Sequence, residues 1–248
     1  MLDELALNAT AATATQVVGG WLLRAAPEYP FRRCNSVFPN SGTGTLSDER
    51  LEVVAAFYRD RRLPVRYQMS PAARPSGLEQ RLAGAGYDVE APVDILVADT
   101  RDVVDHTQAS AGAVSVDDTF SDEWARAYGE LHGDDNVPGT RIEAYGRLMR
   151  TLGPKAVVAT VDLNGTPAGV GFGVVERGWM GVFGMGTRPD VRRRGVASAV
   201  LHALSRAALD AGAPRAYLQV EAGNGGARKL YERACFERAY SYHYRVKA

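Results

Sequence analysis

Cysteine is nearly missing from this chain: Cys34 and Cys235 are the only two in 248 residues, and they lie far apart. One disulfide is possible in principle, but the reading adopted is an intracellular chain with two free thiols. Neither cysteine has the Cys or His neighbours that a zinc site needs, so no metal is expected. An excess of charge is missing as well. Lys plus Arg and Asp plus Glu stand at 29 each, which recommends neither nucleic acid nor an anionic membrane as a partner. No apolar run approaches the length of a spanning helix. The opening MLDELALNAT lacks the basic and apolar regions of a signal peptide. These absences lead to the expectation of a soluble, cytoplasmic α/β protein, monomer or homodimer.

What is present is ordinary in bulk, at 46% hydrophobic and 23% charged, and long enough for two domains or one large one. The chemistry concentrates between Met180 and Phe236. This stretch reads as a Gly-containing strand, a tight basic loop, an amphipathic helix, a second strand and a short helix. The loop is Arg192-Arg193-Arg194-Gly195-Val196-Ala197, followed by Ser198. Gly195 has no Cβ to keep a ligand away from the backbone. The first turn of the helix offers unpaired N–H groups and a partial positive charge, which suits a phosphate or pyrophosphate.

Arg192-x-x-Gly195-x-Ala197 after a strand resembles the Q/R-x-x-G-x-G/A signature of the GNAT superfamily of acyl-CoA-dependent N-acyltransferases. Asn224-x-x-Ala227-x-x-Leu230-Tyr231-x-x-x-Cys235-Phe236 is similar to that superfamily's N-x-x-A-x-x-L-Y-x-x-x-G-F pattern, with Cys235 where Gly is usual. The resemblance implies acetyl-CoA as cosubstrate and a mixed, mostly antiparallel sheet flanked by helices.

The first hundred residues read as a worn copy of the same order. Ser47-Asp48-Glu49 caps a helix running to about Arg62, with Leu51, Val54, Ala55 and Tyr58 on one buried face. A strand over Leu63 to Met69, a helix over Leu78 to Ala85 and a strand over Val93 to Ala98 follow. Pro64 and Pro214, Tyr67 and Tyr217, Pro39 and Pro189, and Gly19 and Gly169 share one spacing. Residues 42 to 47, GTGTLS, stand where the second copy has RRRGVA, and the position of Tyr231 falls at Arg81 or Leu82. The fold expected is therefore α/β (α+β) with two tandem copies, the N-terminal one degenerate. The domains are 1–107 and 108–248, with the boundary in the small-residue segment Gln108 to Ala113.

In the second half, helices are expected around Asp122 to His132 and Arg141 to Leu152. Strands are expected over Val114 to Val116, Ala156 to Asp162, Gly169 to Val175 and Trp179 to Gly186, with hairpin turns at Asn164-Gly165 and Arg177-Gly178. The helix Ala197 to Ala211 ends at Gly212. Gly169-x-Gly171-x-Gly173 lacks the spacing of a dinucleotide loop and opens no helix, so it is set aside. The resemblance implies two strands that splay after a bulge, here Val182 to Gly186 and Tyr217 to Glu221, with the thioester between them. Gly184 and Gly186 weaken a strand unless a bulge or a close ligand requires them.

The same resemblance assigns the thiolate's acid to Tyr231, the oxyanion donor to a backbone N–H near Met185 and the pantetheine arm to Asn224. The cosubstrate site expected comprises Val182, Phe183, Gly184, Met185, Gly186 and Thr187, the loop Arg192 to Ser198, and Asn224, Ala227 and Tyr231. For the general base Glu221 comes first; His132, Asp134 and Asp135 are alternatives on a loop expected to bind substrate. Between Val116 and Asn136, seven acidic residues (Asp117, Asp118, Asp122, Glu123, Glu130, Asp134, Asp135) face only Arg126 in the count of charges, which suits a cationic amine. The activity expected is acetyl transfer to a primary amine of a small molecule. The alternatives are a protein N-terminus or lysine as acceptor, or an acyl-CoA-binding module without turnover.

Overall fold

A computed structural model describes residues 1–40, 46–109, 111–133 and 137–247. The chain opens with helix α1 (Leu2–Asn8) and strands β1 (Ala14–Val18), β2 (Trp21–Ala25) and β3 (Val37–Phe38). Helix α2 (Asp48–Arg59), strand β4 (Val65–Met69), helix α3 (Leu78–Gly84) and strand β5 (Asp88–Asp99) follow. Helix α4 (Thr100–Asp105) leads to β6 (Ala113–Asp117), α5 (Asp122–His132) and α6 (Gly139–Leu148), then to β7 (Lys155–Leu163), β8 (Thr166–Glu176) and β9 (Trp179–Thr187). Helix α7 (Val196–Asp210), β10 (Arg215–Glu221), α8 (Gly225–Arg233) and β11 (Glu237–Lys247) complete it. This is the mixed α/β class expected, with a mostly antiparallel sheet flanked by helices.

The chain divides into two compact units. The N-terminal unit holds Ala12–Asp94, Glu221–Gly223 and Tyr240–Ala248; the C-terminal unit holds Met1–Ala11, Ile95–Val220 and Asn224–Ala239. Composition drew a boundary at 107/108, whereas the units divide inside β5. The pairings that assign the chain ends leave no compositional mark. Residues His243 to Lys247 of β11 pair antiparallel with β4, and Asn8 of α1 donates to Glu176 of β8.

In the N-terminal unit, β1 and β2 form a hairpin across Gly19 and Gly20, β2 pairs antiparallel with β3, and β3 runs parallel to β4. Ser47 Oγ accepts the Arg50 N–H at 3.2 Å and starts α2. Val54 and Tyr58 are buried as the spacing predicts, Phe57 joins them, and Leu51 and Ala55 lie at the margin. The rings of Trp21 and Tyr67 meet edge-on at 5.8 Å in the core.

In the C-terminal unit, β6, β7, β8 and β9 are antiparallel neighbours, and β9 is parallel to β10. Alternate residues of β8 face opposite sides. Phe172 meets Trp124 of α5, while Gly169 and Gly171 lie under Val196, Val200 and Leu204 of α7. A Cβ on Gly171 would come 2.9 Å from Val200 Cγ1, so the glycine run is a groove that lets α7 approach the sheet.

The two copies end their helices alike. Arg62 and Gly212 both have positive φ, at 55° and 79°, each just before a return bond: Leu63 N–H to Tyr58 at 3.0 Å, Ala213 N–H to Ala208 at 2.9 Å. Gly86 and Cys235 repeat this at 79° and 63°, with Tyr87 bonding Leu82 and Phe236 bonding Tyr231. Cys235 thus adopts the left-handed turn that a glycine would supply. By this register Tyr231 corresponds to Leu82.

Candidate active site

The loop after β9 turns through Arg193 at φ 66° and Gly195 at φ 84°, and Gly195 is the N-cap of α7. Among the described residues no side chain caps this helix, so its first-turn N–H groups suit a ligand or solvent. Arg192, Arg193 and Arg194 are exposed around them. The donor set fits a pyrophosphate. Val196 is buried against Gly169, which fixes where the helix begins. One neighbour has no signal in the sequence. Gln108 donates its backbone N–H to Ser198 Oγ at 2.9 Å, and its side-chain oxygen lies 2.0 Å from where a Gly195 Cβ would project.

Along β9 the backbone changes course. Phe183 pairs with Phe172 and Gly186 with Val170, so Gly184 and Met185 together stand opposite Gly171 alone. This is a bulge, and Gly184 at φ 58° supplies its left-handed residue. Pairing with β10 ends at Val182 opposite Leu218, although both strands run on. Beyond that point, among the described residues, Phe183 to Thr187 have no ladder partner on the β10 side. The bulge and the parted strands match the splayed pair that the family resemblance implies, with the backbone at Gly184 and Met185 outside the β9–β10 ladder.

Helix α8 brings its residues to the same place. Asn224 Oδ1 accepts the Ala227 N–H at 3.1 Å and so caps the helix. Tyr231 is buried with Val182, Leu218 and Val220, and Ala227 and Met185 pack beside that cluster. Its ring meets Phe236 edge-on at 5.8 Å. Burial pushes the Tyr231 phenol up to about 12, so it keeps its proton until a strong base forms beside it.

The base candidates separate. Glu221 belongs to the N-terminal unit, where it accepts from Arg32 at 2.8 Å; Arg32 also binds Glu90 at 3.2 Å. His132 ends α5 in the C-terminal unit. Its ring lies 4.4 Å from that of Tyr128 and against Gly186, whose Cβ would come 2.5 Å from His132 Cε1. Burial lowers the His132 pKa, and hydrogen bonds to the backbone of Tyr128 and Met185 offset this in part. Asp134 and Asp135 lie outside the described residues. Asp117, Asp118, Asp122, Glu123 and Glu130 are exposed, and Asp122 is held by Arg147 and Arg150.

Known proteins resemble this chain along its length. The family described as "Probable histone acetyltransferase Rv0428c C-terminal" matches residues 1–245. A protein of Bacillus subtilis (strain 168), "Uncharacterized N-acetyltransferase YobR", is 27% identical over 248 residues, covering 99% of this chain and 97% of that protein. A GCN5-related N-acetyltransferase from Kribbella flavida superposes with a TM-score of 0.68 at 16% identity, over 99% of this chain and 92% of that one. A "Tandem GNAT protein from the clavulanic acid biosynthesis pathway (without AcCoA)" gives 0.65 at 14% identity, over 96% and 84%.

Proposed function

We propose that this chain, which belongs to the Rv0428c C-terminal family and with it to the GNAT superfamily, transfers the acetyl group of acetyl-CoA to a primary amine of a small molecule. The observation that supports this reading most is the β9 bulge at Gly184 and Met185, just past the end of pairing with β10. There an acyl group could lie along unpaired backbone, with the pyrophosphate on the uncapped start of α7. The residues then have distinct work. Arg192 to Ser198 hold the phosphates, Val182 to Thr187 hold the pantetheine and acyl carbonyl, and Asn224 and Ala227 border the arm. A backbone N–H near Met185 stabilises the oxyanion as the amine attacks. Tyr231 gives its proton to the departing thiolate.

We read the N-terminal copy as idle in catalysis, because Leu82 stands where Tyr231 does and cannot supply a phenol. A second acceptor class, a protein lysine or N-terminus, is favoured by the name of the matching family, which is that of a histone acetyltransferase. The discriminating experiment is thiol release from acetyl-CoA with a panel of small primary amines and with lysine-containing histone-tail peptides. Faster release with a small amine supports the first reading, and release with peptides alone supports the second. Thermal protection by CoA without thiol release from any acceptor would leave a binding module.

A further inference from the structure

We propose that His132 is the group that takes the proton from the attacking amine; the inference rests on the acetyltransferase reading above. Gly186 follows the bulge directly, and a Cβ there would meet the imidazole at 2.5 Å from Cε1, 3.0 Å from Nε2 and 3.1 Å from Nδ1. The ring occupies the space that a side chain on this strand would fill. It therefore lies beside the stretch of β9 left unpaired for the acyl group, on the face opposite α7. Met185 points the other way: its sulfur lies 2.6 Å from where a Gly171 Cβ would project, beside Val200 of α7.

His132 Nδ1 lies 3.1 Å from the Tyr128 carbonyl oxygen, and the ring also hydrogen-bonds the backbone of Met185. A neutral imidazole has one N–H to give, and Nδ1–H given to Tyr128 leaves Nε2 as the unprotonated nitrogen, the atom that takes up the amine proton. Partial burial against Tyr128 keeps the ring neutral beforehand.

Other charges do not compensate among the described residues. Tyr128 is the titratable neighbour on its own helix, β9 presents backbone, and β8 presents Phe172. On α6, Glu143 faces Gly129 and is bound by Arg147. The rival carboxylate of Glu221 is engaged by Arg32 at 2.8 Å in the N-terminal unit. The amine nitrogen forms a bond to the carbonyl carbon while the C–S bond breaks. The amine proton moves to His132, and the sulfur takes the Tyr231 proton. Solvent then removes one proton from the imidazolium and returns one to the phenolate, giving amide and free thiol.

The test is thiol release from acetyl-CoA at saturating CoA ester, with the fastest amine of the panel, or with water where no amine accelerates it. The wild type should lose activity on the acid side as His132 protonates, with the limb below its ordinary value of 6.5. His132→Gln should bind CoA as the wild type does, release thiol about 10²- to 10⁴-fold more slowly, and lack the acid limb. Added imidazole should restore part of the rate in His132→Ala. A wild type without an acid limb would overturn the proposal even if neither variant folds. So would a folded His132→Gln with wild-type rate and limb. A wild type that binds CoA but releases no thiol defeats the acetyltransferase reading itself, and this inference with it.

Discussion

Tyr231 carries the account at the scale of single residues. Its phenol, raised to about 12 by burial, is protonated at any working pH and so has a proton to offer the sulfur as the C–S bond breaks. Tyr231→Phe keeps the ring that packs on Phe236. CoA affinity should hold while turnover falls about 10²- to 10⁴-fold, mostly in kcat; steady-state rates at saturating acetyl-CoA check this, and equal rates would make Tyr231 a packing residue. Cys235 makes a second prediction. It holds φ 63° where its counterpart in the first copy is Gly86. Cys235→Gly should stabilise the fold by about 1 kcal/mol, read from urea melts, because the left-handed strain is relieved. Tyr231 and Gly195 each stand in a short motif that a sequence displays. The surroundings of His132 and Glu221 are not legible, because Gly186 and Arg32, which they meet, are remote in sequence.

Elements were more legible than their environments. The residue pattern predicts α5 over Asp122 to His132, and the helix spans those residues. Positive φ at Asn164-Gly165 and Arg177-Gly178 bears out both hairpin turns. Strand β5 runs well beyond Val93 to Ala98, since Asp88, Glu90 and Asp94 break the apolar signal without breaking the backbone. Glu90 is neutralised by Arg66 at 2.7 Å, and Asp94 accepts from Ser241 at 2.6 Å. The glycines of β8 misled in another way: they carry no ligand motif, yet they set the depth of α7. Gly171→Val would thrust methyl groups at Met185 and Val200. It should cost about 1–3 kcal/mol by overpacking and weaken CoA binding by shifting the start of α7. Urea melts and a CoA titration of the variant measure both; unchanged values would remove the groove from the account.

For the whole molecule, the sequence shows a duplication but not how the chain ends are shared between the compact units. No composition marks β11 as the partner of β4. Acid should expose the N-terminal unit first. Burial raises the Glu90 pKa, but bonds to Arg66 and Arg32 outweigh it and the net shift is downward; at Glu79, Arg245 and His243 likewise outweigh burial. A folded-state pKa below the unfolded value contributes stability above the ordinary 4.5, which is lost as pH falls through the folded value. Melting temperature should therefore drop on acidification below that value, and less steeply in Glu90→Gln; an equal slope would contradict the assignment.

The central claim is that one copy of the duplicated fold holds acetyl-CoA, at the loop before α7. Calorimetric titration with CoA tests it most directly. The account predicts one CoA per chain, with affinity reduced at least about tenfold when Arg192 and Arg194 are both replaced by Ala, since each charge-assisted bond to phosphate is worth about 1.5–3 kcal/mol. No binding, two CoA molecules per chain, or one bound with unchanged affinity in the double variant would contradict it.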